Sequence, residues 1–428
     1  MTGSAASGAT RRSVLGAAGA GLAGLALAAC GGNTGRPADG GSSAGGKPTL
    51  AQWYHQYGED GTEAAVKRFA AAYPNATVNV TWVPGDYDKK VAASLLTNAG
   101  PDVFEAGNGP TIDMITGNQV VDLSELLGDA KSDFTPAMLE RMTYEGKLYG
   151  IPQVIDLQLL VYRPSLLQQA GVQPPKTLDE LIDAAGKLTQ GKVKGLFLGN
   201  DGGAGVVGGP VLWSSGHDYL TSDHKPDFNN AEVQGALAKL HTLFGSGHLL
   251  LGAPADWSEP NAIAQGLTAM QWTGLWALPQ LLKTLGDDLG VLPFPAIGSA
   301  GRQSVPFGAY ASAVSAKSGH VDAAKAFVKW LWVDQTDKQL EWAQSYGFHI
   351  PARTSLIAKA DKLKSGVAAQ AAGFVNSYGH AQTPLLWTPT SSAAFSDAVD
   401  KIIRSGANPA STLAAVESTV STELKRFA

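Results

Sequence analysis

Cysteine is nearly absent from this sequence: Cys30 is the only one in 428 residues. One thiol excludes a disulfide within the chain. There is no Cys/His cluster at metal-ligand spacing, no H-E-x-x-H and no Walker-A motif, so no metal, cofactor or phosphate-cradling chemistry is indicated. Charge is also scarce. Charged residues make up 16% of the chain and the formal net charge is −5. No basic cluster occurs, which argues against a nucleic-acid partner. Long apolar runs are missing too. Val14 to Ala29 is glycine-rich and spans about 16 residues, short of the ~20 a membrane-crossing helix needs.

That run has a clear reading as an export signal. Arg11 and Arg12 precede it in "TRRSVLGAAGAGLAGLALAACGG", a basic region followed by an apolar one and then small residues. The arginine pair resembles a twin-arginine address. "LAAC" resembles a lipobox, in which Cys30 takes a diacylglycerol and becomes the mature N-terminus. Residues 1–29 are thus read as a signal peptide. Residues 30–48, including "GGNTGRPADGGSSAGGK", are read as a flexible tether with a reach of about 20–25 Å. The G-x-S-x-G within it lacks the flanking strand and helix of a nucleophile elbow.

From Thr49 onward, strand-like and helix-like segments alternate. "TLAQWY" reads as a strand. "TEAAVKRFAAAYP" places Val66, Phe69, Ala70 and Tyr73 on one helical face before Pro74. "TVNVTWV" is a strand, "DYDKKVAASLLTNAG" a helix and "PDVFEAGN" a strand. This βαβαβ series predicts a mostly parallel sheet covered by helices. A second series starts with the strand "LQLLVYRP". The helix "TLDELIDAAGKLT" follows, with Thr177 and Glu180 as a capping box, and then the strand "GLFLGN". An amphipathic helix through Val233, Leu237, Leu240 and Phe244 comes next. The strands "LTAMQW", "LGVLPFP" and "FGAYASAVSA" lead into the helix "DAAKAFVKWLW". At the end, Leu413, Val416, Val420 and Leu424 form one helical stripe.

Two α/β lobes favour a ligand cleft between them, and loops at the carboxyl ends of parallel strands face such a crevice. Asn108, Asn200 and Asp201 sit in glycine-rich loops of this kind, serving either the ligand or the turn. Trp387 lies in the Pro/Thr loop "TPLLWTPT" and is a candidate ligand platform. Trp82 ends a strand before "PGDY", suited equally to site and edge packing. Trp272 alternates with Met270 on a strand and is open to burial or contact. Gly203 to Gly208 form a G-x-G-x-x-G, but Pro210 and Gly216 leave room for only one or two turns of the helix a dinucleotide needs, and Asp223 and Asp227 lie in a loop.

From Thr49 to Ala428 the chain resembles family 1 extracellular solute-binding proteins, the sugar-capturing subunits of bacterial ABC importers. The resemblance is carried by "AAYPNATVNVTWVPGDYDKKV", "GPDVFEAG", "YEGKLYGIP", "LLVYRPSLLQQAGVQPPKTLDEL", "AIAQGLTAMQWTGLW", "GVLPFP" and "DAAKAFVKWLW", in that order. It implies a two-lobed periplasmic-binding-protein-like α/β fold with the cleft at a hinge. One lobe takes residues 49–156 and 306–351, the other 157–305 and 352–428. Trp276 falls where the family stacks an aromatic on a sugar ring, although a core tryptophan could also open the helix that follows. Tyr54, His55, Gln56 and Tyr57 fall where it presents polar groups, and Asp156 where an acid meets sugar hydroxyls. Gly308 and Tyr310 open the strand returning to the first lobe, and Arg353 follows the last crossing. The implied protein is a monomeric receptor for an oligosaccharide or substituted monosaccharide. It would be lipid-anchored outside the cytoplasmic membrane and would deliver its ligand to ABC permease subunits without catalysis. The competing class is a secreted glycoside hydrolase or lyase, for which Asp156 and Asp201 are the available carboxylates.

Overall fold

The computed structural model describes residues 46–427; the signal segment, Cys30 and the tether as far as residue 45 lie outside the described residues. The segments "TLAQWYH" and "TVNVTWV" become two parallel strands, β1 (Thr49–His55) and β2 (Thr77–Val83), paired from Thr49–Thr77 to His55–Val83. Between them α1 (Thr62–Ala71) buries Ala65, Val66, Phe69 and Ala70. Each large apolar side chain so buried contributes roughly 1.5–3 kcal/mol. Tyr73 lies beyond the helix end yet is also buried. The Asp86 side chain caps α2 (Tyr87–Leu95) by accepting from Lys89 N, and β3 (Val103–Gly107) then runs parallel to β1.

The next strand is longer than its expected half. β4 (Ile151–Tyr162) pairs through Ile151–Leu157 with the returning strand and through Gln158–Tyr162 with the second series. That series comprises α3 (Leu178–Leu188), with both hydrogen bonds of its capping box formed, β5 (Lys194–Phe197), α4 (Ala231–Gly245), β6 (Thr268–Gly274), α5 (Leu278–Leu285) and β7 (Gly290–Leu292). β8 (Val305–Val314) returns and is followed by α6 (Val321–Lys329), β9 (Ile350–Pro351), α7 (Gly366–Tyr378), β10 (Gly379–Ala381), α8 (Pro389–Ser405) and α9 (Pro409–Leu424).

The strand order is β2-β1-β3-β8-β4-β6-β5, with β7 and β9 on β4 and β10 on β8. The expectation of a mostly parallel sheet needs correction. Pairing is parallel at both ends, but antiparallel from β3 through β8 and β4 to β6. The cause is topological: β4 leaves the first half and β8 comes back, so the two crossing strands run in opposite directions.

Two large cores flank this junction. One gathers Leu50, Phe69, Val103, Phe134, Phe327 and Trp342; the other gathers Leu196, Trp213, Phe228, Leu240, Trp272 and Val420. The C-terminal helices divide between them. α7 buries Ala368, Ala371 and Phe374 in the first, while α8 and α9 pack into the second. After α6 a π-turn over Trp330–Asp334 shifts the helical phase. It carries Trp332 into the first core and leaves Trp330 half-buried.

Candidate functional site

Where the crossing strands meet the loops after β1 and β3, a cavity of about 990 Å³ opens. This is the upper end of the roughly 300–1,000 Å³ usual for small-molecule sites. Its floor begins where β1 runs out. His55 Nδ1 lies 2.8 Å from Glu105 Oε2, and Tyr57 donates its hydroxyl to Glu105 Oε1 at 2.7 Å. The His55 ring stacks on Tyr310 of β8, centroids 4.3 Å apart and 15° from parallel. Burial, and next the Glu105 charge, push the Tyr57 and Tyr310 hydroxyls well above the ordinary tyrosine value, so both keep their protons.

Beside the floor lies a buried ionic triad. His349 is 3% exposed. Its Nδ1 bonds Asp156 Oδ1, and its Nε2 is 3.3 Å from Glu59 Oε1. Burial alone would lower the imidazole pKa; the two carboxylates, Asp156 foremost, overcome it and hold the pKa at about 10. His349 is therefore an imidazolium that ties the loop after β1 to the crossing strand β4.

The facing wall is built on β6. Gln271, fully buried, donates to Trp257 O (3.3 Å) and Glu259 O (2.6 Å) and accepts from Ile263 N at 2.9 Å. It thereby fixes the loop carrying Trp257 to Asn261 against the cavity. Trp276 donates its indole N–H to Ser258 O at 2.9 Å and meets Trp257 edge-on at 5.9 Å. Its ring folds back over Gly274, where a Cβ would come within 2.0 Å of the indole, so "TGLW" needs its glycine. A second close approach closes the rim. Asn108, at φ 56°, donates to Gln382 Oε1 at 3.3 Å, and a Cβ on Gly308 would come within 1.8 Å of Asn108 Oδ1.

Eight sequence candidates line this cavity together: His55, Gln56, Tyr57, Asn108, Asp156, Trp276, Gly308 and Tyr310. Seven do not, each for a stated reason. Tyr54 points to the opposite side of β1 from His55 and is fully buried, accepting from Gln52 Nε2. Trp82 stacks on Tyr54 and backs Tyr57 at 5.7 Å. Trp272 is fully buried and donates to Gln158 Oε1 at 3.3 Å, standing behind a cavity-lining residue. Trp387 is 4% exposed among Tyr219, Phe228 and Phe395, because its turn aims it into the second core just before α8. Asn200 caps Gly252 and Ala253, and Asp201 caps Gly203 and Gly205; both hold turns. Arg353 pairs with Asp133 at 2.7 Å and donates to Val333 O.

The sequence reading missed Glu105, Glu59, His349, Trp257, Glu259 and Gln382. Glu105 left a trace: a lone carboxylate inside the apolar strand "VFEAG" demands buried partners. The others lie in loops whose neighbours are set by tertiary packing.

Aromatic and hydrogen-bonding side chains thus converge on one cavity where the crossing strands meet, a lining of the kind small-solute sites have. The profile of the bacterial extracellular solute-binding protein family matches residues 55–335, and the chain belongs to that family. It is 26% identical over 388 residues to the diacetylchitobiose-binding protein DasA of Streptomyces coelicolor, covering 86% of this chain and 87% of that protein. It is 22% identical to the arabinooligosaccharide-binding protein of Bacillus subtilis, over 65% of this chain and 67% of that one. Solved structures share its fold. A solute-binding protein of Thermotoga lettingae bound with α-D-tagatose superposes with a TM-score of 0.76 at 22% identity, covering 88% of this chain and 100% of that one. The GacH receptor of Streptomyces glaucescens superposes at 0.74 and 24% identity, covering 89% and 99%.

Proposed function

We propose that the protein is the exported receptor of an ABC importer and captures an oligosaccharide or substituted monosaccharide between its lobes. The observation that carries this reading is the cavity itself, in which Trp276, Trp257 and Tyr310 offer flat faces beside Asn108, Gln280 and Gln382. Sugars present an apolar C–H face and a ring of hydroxyls, and such a lining meets both. Its size supports a ligand longer than one ring. Its charge supports a neutral one: Glu59, Asp60, Asp156 and Glu259 face the space against Lys283 and the His349 imidazolium, so uronates and sugar phosphates are disfavoured. The lobes, divided near Leu157 and Val305, close on the ligand about the crossing strands. Cys30 carries the lipid that keeps the receptor by its permease. A hydrolase finds less support, because Asp156 is bonded to His349 and Asp201 caps a turn away from the cavity.

Titration calorimetry of the mature protein against chito-, arabino-, galacto- and malto-oligosaccharides and their uronate analogues tests the reading. A neutral oligosaccharide should bind without turnover. Binding of none of them, or release of products, refutes it.

A further inference from the structure

We propose that Glu105 is a positioning residue that fixes the tautomer of His55, so that His55 Nε2 enters the cavity as a hydrogen-bond acceptor and selects a ligand hydroxyl able to donate there. The hydroxyl half of this inference rests on the carbohydrate reading; the tautomer half does not.

Glu105 is 1% exposed and stands between Phe104 and Ala106 on β3. A carboxylate in such surroundings is tolerated when donors fill its lone pairs. Oε2 receives His55 N–H at 3.2 Å and faces His55 Nδ1 at 2.8 Å, while Oε1 receives the Tyr57 hydroxyl. A carboxylate accepts and does not donate, so the ring hydrogen of His55 resides on Nδ1. In the neutral ring Nε2 then keeps its lone pair. It has no hydrogen-bond partner among the described residues, and the ring lines the cavity. Tyr57 at 3.8 Å and Tyr310 at 4.3 Å hold the ring by its faces, and a flip would forfeit the bond to Glu105.

Protonation of the ring would turn Nε2 from acceptor into donor. The groups that bear on that step are Glu105 on β3, Tyr57 in the loop after β1, Tyr310 on β8, and Tyr87 and Asp88 on α2. The Glu59–His349–Asp156 triad lines the same cavity. The tyrosines are held neutral by burial, which leaves Glu105 as the bonded charge.

The test is long-range ¹H–¹⁵N NMR of the histidine rings in the mature protein, with His55 assigned by its loss in H55F, alongside calorimetry with the tightest-binding sugar. Wild type should show the Nδ1–H tautomer. E105Q, whose amide can donate as well as accept, should shift the ring toward Nε2–H and weaken binding about tenfold, the size of one lost hydrogen bond. If E105Q melts too early to hold ligand, H55F decides the binding half. It keeps a flat ring without an acceptor, and about a tenfold loss supports the proposal. An Nε2–H tautomer in wild type, an unchanged tautomer in folded E105Q, or full affinity in H55F overturns it. If wild type binds no sugar, the carbohydrate reading fails, while the tautomer of the unliganded protein still judges Glu105.

Discussion

Raising the pH should unfasten the floor of the cleft through His349. The fold holds this imidazole at about pKa 10, against 6.5 in an ordinary histidine. At about 1.36 kcal/mol per tenfold change in proton affinity, the fold favours the protonated ring by roughly 5 kcal/mol. Breaking a buried ion pair by removing one partner costs about 3–5 kcal/mol, so two independent routes give the same order. The sign follows from the raised value. Below pH 6.5 the ring is protonated folded or unfolded, and the contribution is complete. Above that it declines, because the unfolded chain no longer carries the proton, and it is gone once pH passes about 10. Urea unfolding followed by tryptophan fluorescence, at steps from pH 6 to pH 10, measures it. Wild type should lose several kcal/mol over that window, beyond any loss in His349→Gln. Parallel curves for the two proteins would refute the reasoning, since the triad would then hold no net charge interaction.

The other predictions concern the walls. Trp276→Ala should weaken sugar binding by more than about 1 kcal/mol and leave the melting temperature nearly unchanged. Trp387→Ala should instead destabilise by about 3–5 kcal/mol as a core cavity, and the two effects separate by calorimetry and thermal melting. Gly274→Ala should displace the Trp276 indole, which a Cβ would overlap; affinity should fall nearly as far as in Trp276→Ala, and unchanged binding would show that the ring needs no such fold-back. Gln271→Leu leaves Trp257 O, Glu259 O and Ile263 N without their partner, at about 1–3 kcal/mol for each group left unpaired. Denaturant unfolding should register at least about 2 kcal/mol, with affinity falling as the wall loop loosens.

Glycine and histidine carry much of the site's precision here, although neither dominates its surface. Gly274 and Gly308 matter through the space they leave for Trp276 and Asn108. His55 and His349 matter through the carboxylates bonded to them. Substituting the cavity-facing rings therefore probes only part of the site. Glu105 and Gln271, behind the lining, hold His55, Tyr57 and the wall loop in place.

Local pattern determined much of the architecture. Period-two alternation located β2, the Thr177–Glu180 pair located the start of α3, and the stripe Leu413, Val416, Val420 located the buried face of α9. These features depend on neighbours within a few residues, which sequence displays directly. His55, Gln56 and Tyr57, which line the cavity, were expected there from the family resemblance. Tertiary structure alone decided the rest. β4 and β8 pair antiparallel at the middle of the sheet, and no local signal encodes a partner about 150 residues away. Trp387 and Trp276 look alike in sequence, each beside a helix start, yet one meets Tyr219 and Phe395 and the other the open cavity. An indole packs or stacks according to what faces it, and what faces it here comes from distant parts of the chain.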